Sequence, residues 1–216
     1  MRQSISSGVR LAPLTTNKNT MSLKGQKTTT TSIDWDVFKS LISKLERDGN
    51  YKYCLLITIG VFTGLRISDL LQLKYSQFED TEYLTLVEQK TKKTRKIKIN
   101  PDLKTSVMRL KDLSRVTNSD WPIFMNRYGT KPIDKSWVNV NLKKIFKQYG
   151  VECEGNISSH IFRKTLGNRV LKLNNFSNES IILLMELFGH SSVTITKKYL
   201  GIREREVMSV YDSLSL

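Results

Sequence analysis

The sequence predicts a mainly α-helical domain with one small antiparallel β-hairpin, an α+β fold. Two observations lead there: apolar residues recur at helical spacing over most of the chain from residue 32 onward, and one stretch, "YLTLVEQKTKKTRKIKIN", is β-rich instead. With 216 residues, 39% of them hydrophobic, and no internal repeat, the chain can bury a sizeable core as one compact domain.

Residues 1–31 hold five basic residues, no acidic ones and the run "KGQKTTTTS", with no hydrophobic period. They read as a flexible basic tail or the remnant of a linker. Phe38, Leu41, Ile42 and Leu45 then follow amphipathic helical spacing, entered through Ser32 or Asp34 as a cap, so the folded domain is placed at 32–216. The next helix, "YKYCLLITIGVFTGL", is apolar almost all round and so belongs in the centre of the domain, with Gly64 suited to end it and release "RISDLLQL". "YLTLVEQK" and "RKIKIN" form a hairpin across "TKKT", with Lys90 just before the turn. Helices are expected over 101–113, 134–149, 158–173, 178–188, 191–199 and 202–213.

Lys and Arg number 35 against 20 Asp and Glu, a formal charge of +15. Such a potential attracts polyanions and makes their binding salt-dependent, which puts nucleic acid first among partner classes. No run of 18 apolar residues and no signal-peptide core are present, so the reading is a protein of the cytoplasm, nucleoid-associated in a bacterium, and not of a membrane. Cys54 and Cys153 form no metal motif, and the only histidines, His160 and His190, stand thirty positions apart with no cysteine beside them, so no metal is expected. No phosphate loop and no dinucleotide fingerprint occurs, and no cofactor is expected.

The residues that carry chemistry are few and scattered: Arg66 after a Gly-Leu turn, Lys90 on the basic hairpin, His160 and Arg163 one helical turn apart, His190 after a glycine, and Tyr199 nine positions later. Singly, each has an ordinary reading: a solvated charge, a packed histidine, an amphipathic anchor. Together, in the segments "TGLRISDLLQL", "EQKTKKTRKIKI", "HIFRKT" and "LFGHSSVTITKKYLG", they resemble the catalytic domain of the tyrosine recombinases, the phage integrase family, over about residues 33–213.

That resemblance implies the DNA breaking-rejoining fold and a site-specific recombinase that needs no cofactor. Tyr199 would attack a scissile phosphate, giving a 3′-phosphotyrosyl intermediate, for integration or excision of a phage or mobile element. Arg66 and Arg163 would clamp the non-bridging oxygens, and His160 would bind the phosphate or accept the tyrosine proton. His190 would complete the donors, and Lys90 would protonate the leaving 5′-oxygen, although Lys92, Lys93 and Lys96 lie in the same hairpin. Asp69, three after Arg66, would orient it or another active-site group, while Lys92, Lys93, Arg95, Lys96 and Lys164 would meet DNA.

The partner is then double-stranded DNA, with a homo-oligomer, a tetramer, assembling on it. Val207, Val210 and Leu214 share one face of a short C-terminal segment that either packs on a neighbouring protomer or folds back on its own domain. The family's N-terminal core-binding domain is read as absent from this chain. Two rival readings are a type IB topoisomerase-like strand relaxation and a catalytically idle DNA-binding regulator; a nuclease would want a carboxylate cluster for metal ions.

Overall fold

A computed structural model describes residues 31–153, 155–202, 207 and 210–214. The basic segment expected over 1–31 therefore falls almost wholly outside the described residues. Helix α1 spans Trp35–Arg47, capped by the Asp34 carboxylate accepting from the Asp36 amide, and buries the predicted face of Phe38, Leu41 and Leu45. Helix α2, Tyr51–Thr63, buries nine of its thirteen residues, which is what an apolar sequence without a polar face requires. It ends at Gly64, whose φ of 58° is a left-handed conformation that glycine adopts without steric cost.

A short α3, Ile67–Leu70, and a 3-10 turn at Tyr75–Phe78 lead into strands β1, Tyr83–Val87, and β2, Thr94–Lys98. The strands pair antiparallel, with Leu84 opposite Ile97 and Leu86 opposite Arg95. The hairpin is shorter and its turn longer than expected, so Lys90 sits within the turn. Glu88 still bonds across the hairpin, its amide donating to the Lys93 carbonyl at 3.0 Å and its carbonyl accepting from the Lys92 amide at 2.9 Å; beyond it the Gln89 amide leaves the ladder and donates to Asp69 instead.

Helices α4, Pro101–Leu113, α5, Lys135–Gln148, α6, His160–Leu173, α7, Asn178–Phe188, and α8, Val193–Leu200, complete the described fold. Four of these helices start at a side-chain cap: Asn100 before Pro101, Asp134 before α5, Ser177 before α7 and Ser192 before α8 each accept a backbone amide of the first turn. Beyond Gly201 the predicted last helix is only partly described; residues 210–212 are helical, and Val207, Val210 and Leu214 are all exposed.

Two apolar clusters form the core. The larger joins α1, α2, α4, α5 and the hairpin and includes Ile161 and Phe162 of α6, the latter packed against Gly60 of α2. The smaller gathers Leu171, Ile181, Leu184, Phe188, Leu200 and Ile202, with Tyr199 packed against it. Helix α6 thus belongs to both. At Gly167 it lets Leu200 of α8 approach so closely that an added Cβ would stand 2.6 Å from Leu200 Cδ2. That approach brings the end of α8, and Tyr199 with it, against the helix bearing His160 and Arg163.

Candidate active site

A cleft of about 530 Å³ opens where the two clusters meet, lined by Arg66, Lys90, Thr91, Lys135, His160, Arg163, His190 and Tyr199. All six expected catalytic side chains, drawn from four separate segments of the sequence, therefore share one cavity.

Arg163 is 4% exposed. Its guanidinium donates through Nη1 to the carbonyl of Gly64 at 2.7 Å and through Nη2 to that of Phe188 at 2.9 Å, and lies over the Phe188 ring. Arg66 donates through Nη2 to the same Phe188 carbonyl at 3.2 Å and through Nη1 to Glu88 at 2.8 Å. Each terminal nitrogen carries two protons, so bonds to the protein orient both forks and leave donors for an anion in the cleft.

Glu88 was not singled out in the sequence. Its buried carboxylate accepts from Arg66, from Arg95 and from the hydroxyl of Thr91, the neighbour of Lys90. Burial alone would raise its pKa, but the Thr91 hydrogen bond and the two guanidinium groups outweigh it and hold the pKa below the ordinary carboxylate value. Arg95, expected to meet DNA, is instead turned inward: it bonds Glu88 and donates to the Thr63 carbonyl at 3.1 Å. Asp69 supports the hairpin rather than Arg66, its Oδ1 accepting from the Gln89 amide at 2.8 Å while its buried Oδ2 has no hydrogen-bond partner among the described residues. The signal for Glu88 was legible in retrospect, as the one acidic residue inside a basic hairpin.

Tyr199 is half-buried between three rings, those of Phe188, His190 and His160, with centroids 5.2–6.1 Å away. Burial raises the phenol pKa, opposed by the positive charges of Arg163 and Arg66, so the hydroxyl is protonated near neutrality and must pass its proton on to react. His160 Nδ1 stands 3.4 Å from it. Desolvation first, then the charges of Lys135, Arg163, Lys164 and Lys90, lower the His160 pKa below 6.5, leaving a neutral imidazole able to accept that proton. His190, whose pKa is pushed down to about 4 by burial and by both arginines, places Nδ1 3.0 Å from the hydroxyl of Thr196.

Lys90, Lys92, Lys93 and Lys96 are exposed on the hairpin, and Lys96 also lies over the ring of Tyr83. Lys164, expected to meet DNA, is 8% exposed, with Nζ 5.3 Å from the centre of the Tyr199 ring. Lys135, at the start of α5, also lines the cleft and was missed because its spacing from the other residues carries no pattern. Among the described residues no group of three or more His, Cys, Asp or Glu gathers as a metal site, and no helix is long and apolar enough to cross a membrane.

The chain matches the phage integrase family over residues 31–206. It is 30% identical to a probable integrase/recombinase, YoeC, of Bacillus subtilis (strain 168) over 82% of this chain and 89% of that relative. It is 27% identical to tyrosine recombinase XerC of Rickettsia canadensis (strain McKiel), covering 82% of this chain but only 57% of the relative. In fold it is similar to the XerH site-specific recombinase bound to a palindromic difH substrate in a post-cleavage complex. That likeness has a TM-score of 0.61 at 20% identity, over 92% of this chain and 58% of that one. A lambda integrase tetramer bound to a Holliday junction gives 0.59 at 21% identity, over 83% of this chain and 50% of that one. Family match, shared architecture and the meeting of six side chains in one cleft lead to one conclusion: this chain belongs to the phage integrase family of tyrosine recombinases.

Proposed function

We propose that the domain cleaves and rejoins duplex DNA through a 3′-phosphotyrosyl intermediate, without a cofactor, as the catalytic domain of a site-specific recombinase that integrates or excises a mobile element. The observation that carries this reading is the contact between the Tyr199 hydroxyl and a neutral His160, beside two guanidinium forks fixed on one carbonyl.

In the proposed step Tyr199 Oη bonds to phosphorus, the bond to the 5′-oxygen breaks, and the tyrosine proton passes to His160. Lys90, carried by a turn anchored through Thr91 and Gln89, gives its proton to the departing 5′-oxygen. Arg66 and Arg163 follow the charge on the non-bridging oxygens into the transition state. One phosphoester replaces another, so the 5′-hydroxyl of a second strand can reverse the reaction without nucleotide hydrolysis.

The +15 charge and the exposed lysines of the hairpin support binding to duplex DNA, in the cytoplasm and on the nucleoid of a bacterial host. The exposed Val207, Val210 and Leu214 support docking of the C-terminal segment on a neighbouring protomer, as in a DNA-bound tetramer.

The test incubates the protein and Tyr199→Phe with nicked duplexes bearing candidate attachment sites, then separates the products by denaturing electrophoresis. A covalent adduct seen only with Tyr199 supports the reading. Salt-sensitive binding without any adduct favours an idle regulator, and relaxation of supercoiled plasmid without recombinant products favours the topoisomerase-like activity.

A further inference from the structure

His190 is neutral near pH 7, its pKa being pushed down to about 4 by burial and by Arg163 and Arg66. A neutral imidazole has one N–H, so whether it donates to a phosphate oxygen or turns a lone pair toward it depends on which nitrogen holds the proton. Nδ1 is committed to the hydroxyl of Thr196, 3.0 Å away, so Nε2 is the nitrogen left to the cleft that His190 lines.

The Thr196 hydroxyl has a single proton and two acceptors in reach, His190 Nδ1 and the carbonyl of Ser192 at 3.3 Å. The Ser192 carbonyl already accepts from the Thr196 amide at 3.2 Å as part of the first turn of α8. The imidazole nitrogen is the nearer of the two, and it has no other partner among the described residues. Thr196 is fully buried, at 0% exposure, so water does not compete for its proton. Its β-branched side chain is stiff at χ1, and α8 is anchored by the Ser192 cap.

We propose that Thr196 is a positioning residue that donates its hydroxyl proton to His190 Nδ1 and so fixes the Nε2–H tautomer, making His190 a hydrogen-bond donor to the scissile phosphate. The catalytic part of this assignment rests on the phosphotyrosyl reading above; the tautomer itself does not. Thr196 and Tyr199 lie three apart on α8, so the same turn of helix delivers the nucleophile and sets the protonation of the donor beside it.

The chain contains only two histidines, which makes the test direct. Long-range ¹H–¹⁵N correlation spectra of the ring nitrogens are recorded for the wild-type protein near pH 7, with His160→Gln identifying the remaining ring as His190. The expected result is a protonated Nε2 and a bare Nδ1. Thr196→Val, nearly isosteric, should release that preference and lower adduct formation on nicked duplex about 10- to 100-fold, by analogy with the outer partners that orient metal-bound histidines. Thr196→Ser, which keeps the hydroxyl and guards against misfolding of the valine variant, should restore both.

A wild-type spectrum with the proton on Nδ1 overturns the proposal, whatever the activity. So does a valine variant with an unchanged ring spectrum and wild-type adduct formation. If wild-type protein shows the Nε2–H form yet gives no adduct on any duplex, the tautomer assignment stands and the phosphotyrosyl reading is what fails.

Discussion

Arg66 and Arg163 donate to the same oxygen, the main-chain carbonyl of Phe188, at 3.2 Å and 2.9 Å. Two like charges are thereby held side by side, and Arg163 feels it: burial first, then the positive charges of Arg66 and Arg95, lower its pKa. The aim of the two planar forks is set by carbonyls and a carboxylate, and under the proposed mechanism a scissile phosphate would be held between them.

Arg66→Lys keeps the charge and loses the fork. DNA binding should persist, because one cation still faces the backbone, whereas adduct formation on nicked duplex should fall about 10²–10³-fold, the loss typical of one preorganised donor. Wild-type rates of adduct formation in this variant would remove Arg66 from the clamp.

Glu88 joins the clamp to the hairpin, since one buried carboxylate meets Arg66, Arg95 and Thr91. Removing it leaves two guanidinium groups without their anion, and Glu88→Leu should cost about 3–5 kcal/mol in urea unfolding, the usual result of breaking a buried pair from one side. Its folded pKa is depressed, so the unfolded state binds the proton more readily and the stabilisation is present above the ordinary carboxylate pKa near 4.5. It is lost as pH falls through the lower folded value. Glu88→Gln should therefore flatten that part of the acid-unfolding profile; an unchanged profile would show that the carboxylate carries no linked proton.

The division between what the sequence showed and what it hid follows from locality. Helix α2 was recognisable because an apolar sequence without a polar face has only the centre of a domain to occupy, and α4 and α7 because apolar residues recur there at helical spacing. The six cleft residues were placed by the resemblance of four segments, in their order and spacing, to the tyrosine recombinase catalytic domain, and that resemblance is visible without coordinates. Arg95 went astray because a guanidinium on a strand of a basic hairpin reads as surface, and only the fold shows Glu88 and the Thr63 carbonyl beneath it. Glu88 and Thr196 were missed for the same reason: each acts on a side chain through a contact that no local pattern encodes.

The two histidines share one electrostatic cause. Both have pKa values below 6.5, His190 near 4, because cleft burial and neighbouring cations disfavour imidazolium. Ring-proton titrations should give midpoints below 6.5 for both in the folded protein. The unfolded chain protonates them more readily, so stability should fall as pH drops from 6.5 toward those lower midpoints. Adduct formation should hold steady around neutrality and decline only in acid, as His160 takes up a proton and ceases to be an acceptor for Tyr199. An acid limb that survives unchanged in His160→Ala would assign it to another group.

The C-terminal face offers a separation of folding from assembly. Val210 and Leu214 are 60% and 73% exposed, so Val210→Asp with Leu214→Asp should leave the stability of the domain within about 0.5 kcal/mol of wild type, as surface changes usually do. A charge on that face is costly only if a second protein surface covers it, because burial would strip the carboxylate of water without supplying a partner. Native electrophoresis on duplex sites should then show the wild type in multi-protomer complexes and the double variant confined to single-protomer ones, with monomer binding retained. Identical complexes from both proteins would mean that the apolar face contributes nothing to assembly and that protomers meet elsewhere on the domain.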